Sequence, residues 1–298
     1  MGHDQLFKMV LEKFLGEFLE LFFPAVAQRL DFGTVEFLDK ELPLDFPKGT
    51  TREADVVARL ETHKGEPEIV LVHVEVQSRP EKDFGRRMFE YSILLWLRHR
   101  VPIFPVALYL QGGKGLTDEE YEQSLFGRDV FRFRYASVGL ARLRAEEYVE
   151  KGPLGIALAE LMSRKKRADR VALAANMQLR VATSGLDDAR KHLLLDVMET
   201  YSRLSGAERA RLERLISRKE YRTLQEVKET WSDRMREEGR KAGVIEGKRE
   251  TLLRLLTARF GSLSPDTIAK VAAVPTAVEL DAYLECIITA ESLEDVGL

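Results

Sequence analysis

The stretch that most constrains the fold is EIVLVHVEVQ, residues 68–77, because apolar and polar side chains alternate along it. Successive side chains of a β-strand point to opposite faces, so the valines at even positions in 72–76 share one face. His73, Glu75 and Gln77 share the other. One polar face is ordinary in an antiparallel sheet, yet these three groups are suited to binding metals or holding waters. The pattern predicts a strand with a chemically specialised face.

A second β-rich run, EADVVARLET, precedes this strand, and the turn-prone segment HKGEP joins the two as a hairpin. Asp55 lies on the first strand, and Glu75 follows 20 residues later on the second. In an antiparallel pair, the two carboxylates can face each other across the ladder. Carboxylates about 5 Å apart repel by about 3 kcal/mol at an effective dielectric near 20. A cation or a shared proton is therefore needed.

A hard divalent cation suits this arrangement, because Mg²⁺ binds through few carboxylates and several waters. The sequence predicts Asp55 and Glu75 as ligands of Mg²⁺, with Mn²⁺ as an alternative cation. The backbone carbonyl of Val76 is a candidate third oxygen ligand, and Gln77 is a candidate for orienting a water. The alternative is two surface acids on a half-exposed sheet.

Charge and cysteine content exclude several classes of protein. The 298-residue chain has a net charge of −3, so affinity for nucleic acid must come from local basic clusters such as SRKKRADR, residues 163–170. The alternative interpretation of that cluster is the charged start of a helix. The single cysteine, Cys286, excludes an internal disulfide and a Cys-rich zinc site and indicates a cytoplasmic protein. The first helix carries too many charges to be a signal peptide or a membrane span.

Four motifs occur in order along the first half of the chain: READVV, VEVQSRP, RMFEY and PVALYLQGG. In this order and spacing they resemble the PD-(D/E)XK nuclease superfamily, and more narrowly the Rpn/YhgA-like family of recombination-promoting nucleases and putative transposases. The segment FLGEFLELFFPAVA is also similar to that family. The resemblance covers about residues 1–150, and the tail resembles a small helical domain of unknown function that is appended to such nucleases.

The resemblance implies a Mg²⁺-dependent DNA endonuclease that promotes recombination. It implies metal ligands at Asp55 and Glu75, and it aligns Gln77 with a position that is Lys in many members of the superfamily. Gln is a neutral donor and acceptor, whereas Lys can stabilise developing phosphate charge. A DNA-binding or assembly protein with a decayed, inactive nuclease core is therefore the alternative.

Five further side chains are candidates for the site. His73 shares a strand face with Glu75 and is either a polar filler or a contact to substrate or ligand. Arg87 and Tyr91 stand one helical turn apart and either reach a phosphate, brace Glu75 or form a structural pair. Glu17 and Glu20 on the first helix are either additional acids of the site or a solvated face.

The predicted fold class is α/β, a PD-(D/E)XK-like mixed sheet flanked by helices and followed by helical extensions. Before residue 150 we expect a helix at 4–23, strands at 34–39, 53–62, 68–77, 103–113 and 130–140, and a helix at 82–100. The expected organisation is a nuclease core at 1–150, a helical extension at 151–217, a charged linker helix at 218–248 and a small helical domain at 249–298. Self-association is expected through the C-terminal helical region.

Overall fold

The structure is a computed structural model that describes residues 3–38, 41–42, 52–53, 55–63, 69–163, 169–290 and 292–297. The chain forms two compact units, Met1–Val227 and Lys228–Leu298.

The elements follow one another along the chain as listed here. The strands are β1 (Leu30–Phe37), β2 (Glu41–Leu42), β3 (Arg52–Glu53), β4 (Val56–Thr62), β5 (Ile69–Gln77), β6 (Ile103–Tyr109), β7 (Leu116–Leu125) and β8 (Arg128–Gly139). The helices of the first unit are α1 (His3–Phe22), α2 (Pro24–Ala27), α3 (Phe84–His99), α4 (Pro153–Leu158), α5 (Arg170–Ala182), α6 (Asp188–Thr200) and α7 (Gly206–Ile216). Then come α8 (Arg222–Phe260), α9 (Pro265–Ala273), α10 (Ala277–Thr289) and α11 (Leu293–Val296). Short 3-10 turns occupy Leu140–Arg142, Ala145–Glu147 and Lys219–Tyr221.

The main sheet has six strands in the order β1-β4-β5-β6-β8-β7. Strands β1, β4 and β5 pair antiparallel, β5, β6 and β8 pair parallel, and β7 pairs antiparallel with β8. Strands β2 and β3 form a separate pair. The predicted α/β class, a mixed sheet flanked by helices, is confirmed.

The two faces of the sheet bury different helices. Helix α1 covers one face, where its apolar stripe joins Val72, Val74 and Val76 in the main core. Helix α3 covers the other face, where Tyr91 and Leu95 pack with Leu71. The predicted alternation along β5 is therefore confirmed.

The polar face of β5 is not solvated, however. His73 is 0% exposed and Glu75 is 3% exposed. The reason lies in the connection, because β5 and β6 are parallel and the crossover helix between parallel strands lies over the sheet. Helix α3 is that crossover.

The carboxyl ends of β5 and β6 are held together by the loop that follows β6. The N–H of Leu110 donates to the carbonyl of Gln77 at 2.9 Å, and the N–H of Gln111 donates to the carbonyl of Ser78 at 2.8 Å. Gly113 in this loop has φ of 71°, and a Cβ there would lie 2.9 Å from the Cα of Gly139. Only glycine fits so close an approach with a left-handed backbone.

Helices α4 to α7, which follow residue 150, belong to the same compact unit as the sheet. Residues of α4, α5 and α6 join the main core, as do Leu224 and Val227 at the start of α8. The boundary between the compact units falls after Val227, and the expected functional divisions at residues 150, 217 and 248 stay predictions.

The second unit has its own small core. Helix α8 begins in the first unit and continues into the second. Its residues Leu252 and Leu256 pack with residues of the following helices, among them Val271, Leu280 and Ile287. In the part of the chain that the structure describes, no helix combines the length and the apolar character of a membrane span.

Candidate functional site

The carboxylates of Asp55 and Glu75 meet at the edge of the sheet that is formed by the start of β4 and the carboxyl end of β5. Val56 pairs with Val74 in the antiparallel register, which sets Asp55 opposite Glu75. The N–H of Asp55 donates to Oε1 of Glu75 at 3.0 Å. The N–H of Val76 donates to Oδ2 of Asp55 at 2.8 Å. Each carboxylate is therefore fixed by the backbone of the opposite strand.

Lys8 of α1 is a third charged group at this edge. Its Nζ lies 2.8 Å from Oδ1 of Asp55, and the two side chains are only 18% and 13% exposed. Asp55 directly precedes β4, at the end of the strand, so a side chain from the α1 face can reach it.

The sequence interpretation missed Lys8. The available signal was its position, because Lys8 follows Phe7 and precedes Leu11 by three residues, and both of these are buried. A lysine at the border of a buried helical stripe lies next to whatever the stripe packs against.

His73 lies beneath Glu75 rather than at the surface. Its Nε2 is 2.9 Å from Oε1 of Glu75, and its Nδ1 is buried without a partner among the described residues. The ring of Tyr91 packs edge-on against the imidazole, with the ring centres 5.6 Å apart. Helix α3 thus orients Glu75 through Tyr91 and His73.

Burial and charge act on Asp55 in the same direction. Burial raises the pKa of Asp55 above its ordinary value of 3.8, and the negative charge of Glu75 raises it further. The hydrogen bonds from Lys8 and Val76 lower the pKa but only partly offset this rise. A pair of partly buried carboxylates in this state gains from a nearby cation.

The donor set fits a magnesium ion. Within the described residues, no group of three or more His, Cys, Asp and Glu side chains could hold a metal. Mg²⁺ does not need such a cage, because it commonly binds through one or two carboxylates together with waters and substrate phosphates. Asp55 and Glu75 supply that number of carboxylates at a partly open edge. The role of the Val76 carbonyl stays a prediction.

Gln77 is the last residue of β5 and is half-buried. It lies on the same strand face as Glu75, two residues further towards the carboxyl end. Its backbone carbonyl accepts a hydrogen bond from the N–H of Leu110, which anchors the strand at this point.

Three of the predicted candidates lie elsewhere. The guanidinium of Arg87 sits over the ring of Phe84 at 5.0 Å, and its Nη1 is 3.3 Å from Oε2 of Glu81. Glu17 pairs with Arg190. Glu17 and Glu20 follow Lys8 by 9 and 12 residues and lie beyond the kink that non-helical backbone angles at Phe14 introduce into α1. The structure does not bring these acids to Asp55.

Most of the predicted basic cluster, residues 164–168, lies outside the described residues. Of its described members, Arg170 is engaged within the fold, since its guanidinium contacts Glu208 and the carbonyl of Arg203.

Comparison with known proteins identifies no relative. The chain matches no protein-family model, no curated protein and no solved structure. Function must therefore be argued from the site and from the order of the sequence motifs.

Proposed function

We propose that the protein is a Mg²⁺-dependent endonuclease that hydrolyses phosphodiester bonds of DNA. The observation that carries the proposal is the pair of Asp55 and Glu75 carboxylates, brought together at a sheet edge by reciprocal backbone hydrogen bonds. The order of the four sequence motifs supports the same activity.

Hydrolysis adds one water across one P–O bond. The water oxygen bonds to phosphorus, the ester P–O bond breaks, and the departing oxygen receives a proton to become a hydroxyl. Asp55 and Glu75 would hold a Mg²⁺ ion, whose chemistry is to activate the water and to offset charge on the phosphate. His73 and the backbone N–H of Asp55 keep the Glu75 carboxylate in one orientation. Gln77 orients the attacking water through its amide.

A second candidate function is a DNA-binding or assembly protein with an inactive core. Two observations favour it. Gln77 is neutral, and the ammonium of Lys8 already offsets part of the charge of Asp55. A site whose charge is balanced by its own lysine has less need of a metal ion. In this alternative, the Asp55–Lys8 contact only ties α1 to the sheet.

Cleavage of supercoiled plasmid DNA with Mg²⁺ decides between the two functions. Active wild-type protein should nick the plasmid, lose activity in EDTA, and lose it in Asp55→Asn and in Glu75→Gln. Glu61→Gln is the matched control, because Glu61 is an exposed acid on β4. Nicking at the wild-type rate in the Asp55→Asn/Glu75→Gln double variant would assign the activity to another source.

We also propose a cytoplasmic location and self-association through the C-terminal helical region, residues 218–298. The single cysteine, Cys286, which excludes an internal disulfide, supports the first. For the second, Gly243 and Gly247 leave open space on α8 where another helix can approach. Sedimentation of the full chain against a chain ending before this region tests the association.

A further inference from the structure

We propose that Lys8 is the group that contacts the DNA phosphate at the Asp55–Glu75 site. In the substrate-free protein its ammonium holds Asp55, and in the complex it donates to a non-bridging oxygen of the phosphate. The inference rests on the proposed nuclease function and names the residue that lets an acidic site accept an anionic substrate.

The charge balance of the site favours such a group. The proposed Mg²⁺ ion would balance the two negative charges of Asp55 and Glu75, and a phosphodiester adds one more negative charge at this partly buried edge. The negative charges of adjacent carboxylate and phosphate groups repel one another strongly where water is partly excluded. Lys8 supplies a positive charge in direct contact with one of these carboxylates, since its Nζ lies 2.8 Å from Oδ1 of Asp55.

The position of Lys8 suits this role. Its Nζ contacts Asp55 from the α1 face, whereas His73, Glu75 and Gln77 occupy the α3 face. The carboxylate pair therefore has its cation on one side and its neutral amide on the other. At 18% exposure, the Lys8 side chain is held against the protein but still reaches solvent at the sheet edge. A phosphate at this edge can meet the ammonium without entering the core.

Salt-dependent DNA binding without metal is the first test. Binding is measured in EDTA for the wild type, Lys8→Met and the matched control Lys13→Met, which removes the same charge from an exposed position of α1. Each phosphate contact contributes about 0.9 to the slope of log affinity against log salt for duplex DNA. Lys8→Met should reduce that slope by about one contact, and Lys13→Met should leave it unchanged. Equal slopes for all three proteins would overturn the inference.

Mn²⁺ binding is the second test, and here Lys8→Met should strengthen binding, whereas it should weaken the binding of DNA. Lys8 competes with a cation for Oδ1 of Asp55, so Lys8→Met should bind Mn²⁺ more tightly, about tenfold, as followed by paramagnetic resonance of free Mn²⁺. A variant that simply misfolds would lose Mn²⁺ binding instead. Should Lys8→Met unfold, Lys8→Gln repeats both measurements, because it removes the charge while keeping a donor. Unchanged or weaker Mn²⁺ binding by a folded variant contradicts the inference.

Rescue of cleavage completes the test. Lys8→Met should slow single-turnover cleavage by about 10²-fold, the loss typical of one positioned donor. Adding Gln77→Lys returns a cation to the other side of the carboxylates and should recover about tenfold. A folded Lys8→Met protein that cleaves like the wild type defeats the inference while leaving the nuclease function standing. A wild type that does not cleave at all defeats the nuclease function, and the two binding tests still judge Lys8.

Discussion

Opposing influences act on the Asp55 carboxylate, and their balance defines the state of the metal-free site. Burial and the charge of Glu75 raise its pKa, and the hydrogen bonds from Lys8 and Val76 lower it, with a net rise. The folded protein therefore binds a proton at Asp55 more readily than the unfolded chain does. The free energy of unfolding falls as pH rises from 3.8 through the folded-state pKa. At pH values above the folded-state pKa of Asp55, the free energy of unfolding is lowered by the full amount.

Replacing Glu75 tests this balance. In Glu75→Gln the charge is removed while an oxygen acceptor remains for Asp55 and His73. We expect the pKa of Asp55 to fall, because the charge of Glu75 is one of the two causes that raise it. An NMR titration of the Asp55 carboxyl carbon measures it, with Glu61→Gln as the control. An unchanged pKa would mean that the two carboxylates do not interact.

Magnesium should restore stability in the same pH range. We expect Mg²⁺ to raise the melting temperature of the wild type at neutral pH, because the ion binds only the ionised carboxylates. The gain should shrink as pH falls through the pKa of Asp55 and should be absent in Asp55→Asn. Differential scanning fluorimetry at several pH values measures it. A gain that is equal at all pH values would place the bound ion elsewhere.

Gln77 offers a separate test of the site. Gln77→Leu keeps a side chain of similar size but removes the amide, so the proposed water loses its partner. Metal affinity should be unchanged, and single-turnover cleavage should fall by about 10²-fold. Cleavage is measured against Mg²⁺ concentration to separate the two quantities. If Gln77→Leu cleaves DNA at the wild-type rate, Gln77 is only a surface amide.

The sequence predicted part of this site for a clear physical reason. The period-two alternation and the expected hairpin predicted the register, so the proximity of Asp55 and Glu75 could be read from spacing. Residues 64–67 of the expected turn lie outside the described residues. The partner of Lys8 could not be read in this way, because the contact with Asp55 depends on how α1 packs on the sheet. The burial of His73 depends likewise on α3.

At the scale of elements, the crossover helix α3 determines what the polar face of β5 becomes. Leu95 is 1% exposed and packs in the small cluster with Tyr91 and Leu71, whereas Leu97 on the same helix is 48% exposed. Helix α3 therefore exposes the stripe that contains Leu97, and it packs on the sheet through the stripe that contains Leu95. This stripe holds Tyr91 against His73.

The two leucines give a matched pair of variants. Leu95→Ala leaves a cavity beneath the helix and should lower the free energy of unfolding by about 2–5 kcal/mol. Leu97→Ala should change it by less than about 0.5 kcal/mol, as is usual for an exposed position. Urea unfolding followed by circular dichroism measures both. Similar losses for the two variants would contradict the assigned face of α3.

Strand β7 shows where pattern reading fails at this scale. Its sequence, LTDEEYEQSL, is acidic, and most of its side chains are exposed. It forms the edge of the sheet and pairs only with β8, so it has little apolar periodicity to reveal it. By contrast, α1, α3 and β5 carry strong periodic patterns, and their predicted positions are confirmed within a few residues.

At the scale of the whole molecule, the first compact unit ends within α8 rather than at the end of α7. Leu224 is fully buried and Val227 is 9% exposed, and both join the core that contains the sheet. The Nε2 of His192 lies 3.1 Å from the carbonyl of Val227. The charged composition of α8 concealed these residues, because a long charged stretch follows the buried apolar groups of its first turns.

Two truncated chains test where the first unit ends. A chain of residues 1–240 retains Leu224 and Val227 and should unfold cooperatively and keep the proposed cleavage activity. A chain of residues 1–217 loses both side chains, and burying each contributes about 1.5–3 kcal/mol, so it should be less stable by about 3–6 kcal/mol. Urea unfolding compares them, with Leu224→Ala in the full chain as the control for that one side chain. Equal stability of the two truncated chains would show that the start of α8 is dispensable. A stable 1–240 chain without cleavage, beside an active full-length protein, would instead mean that the second unit contributes to catalysis.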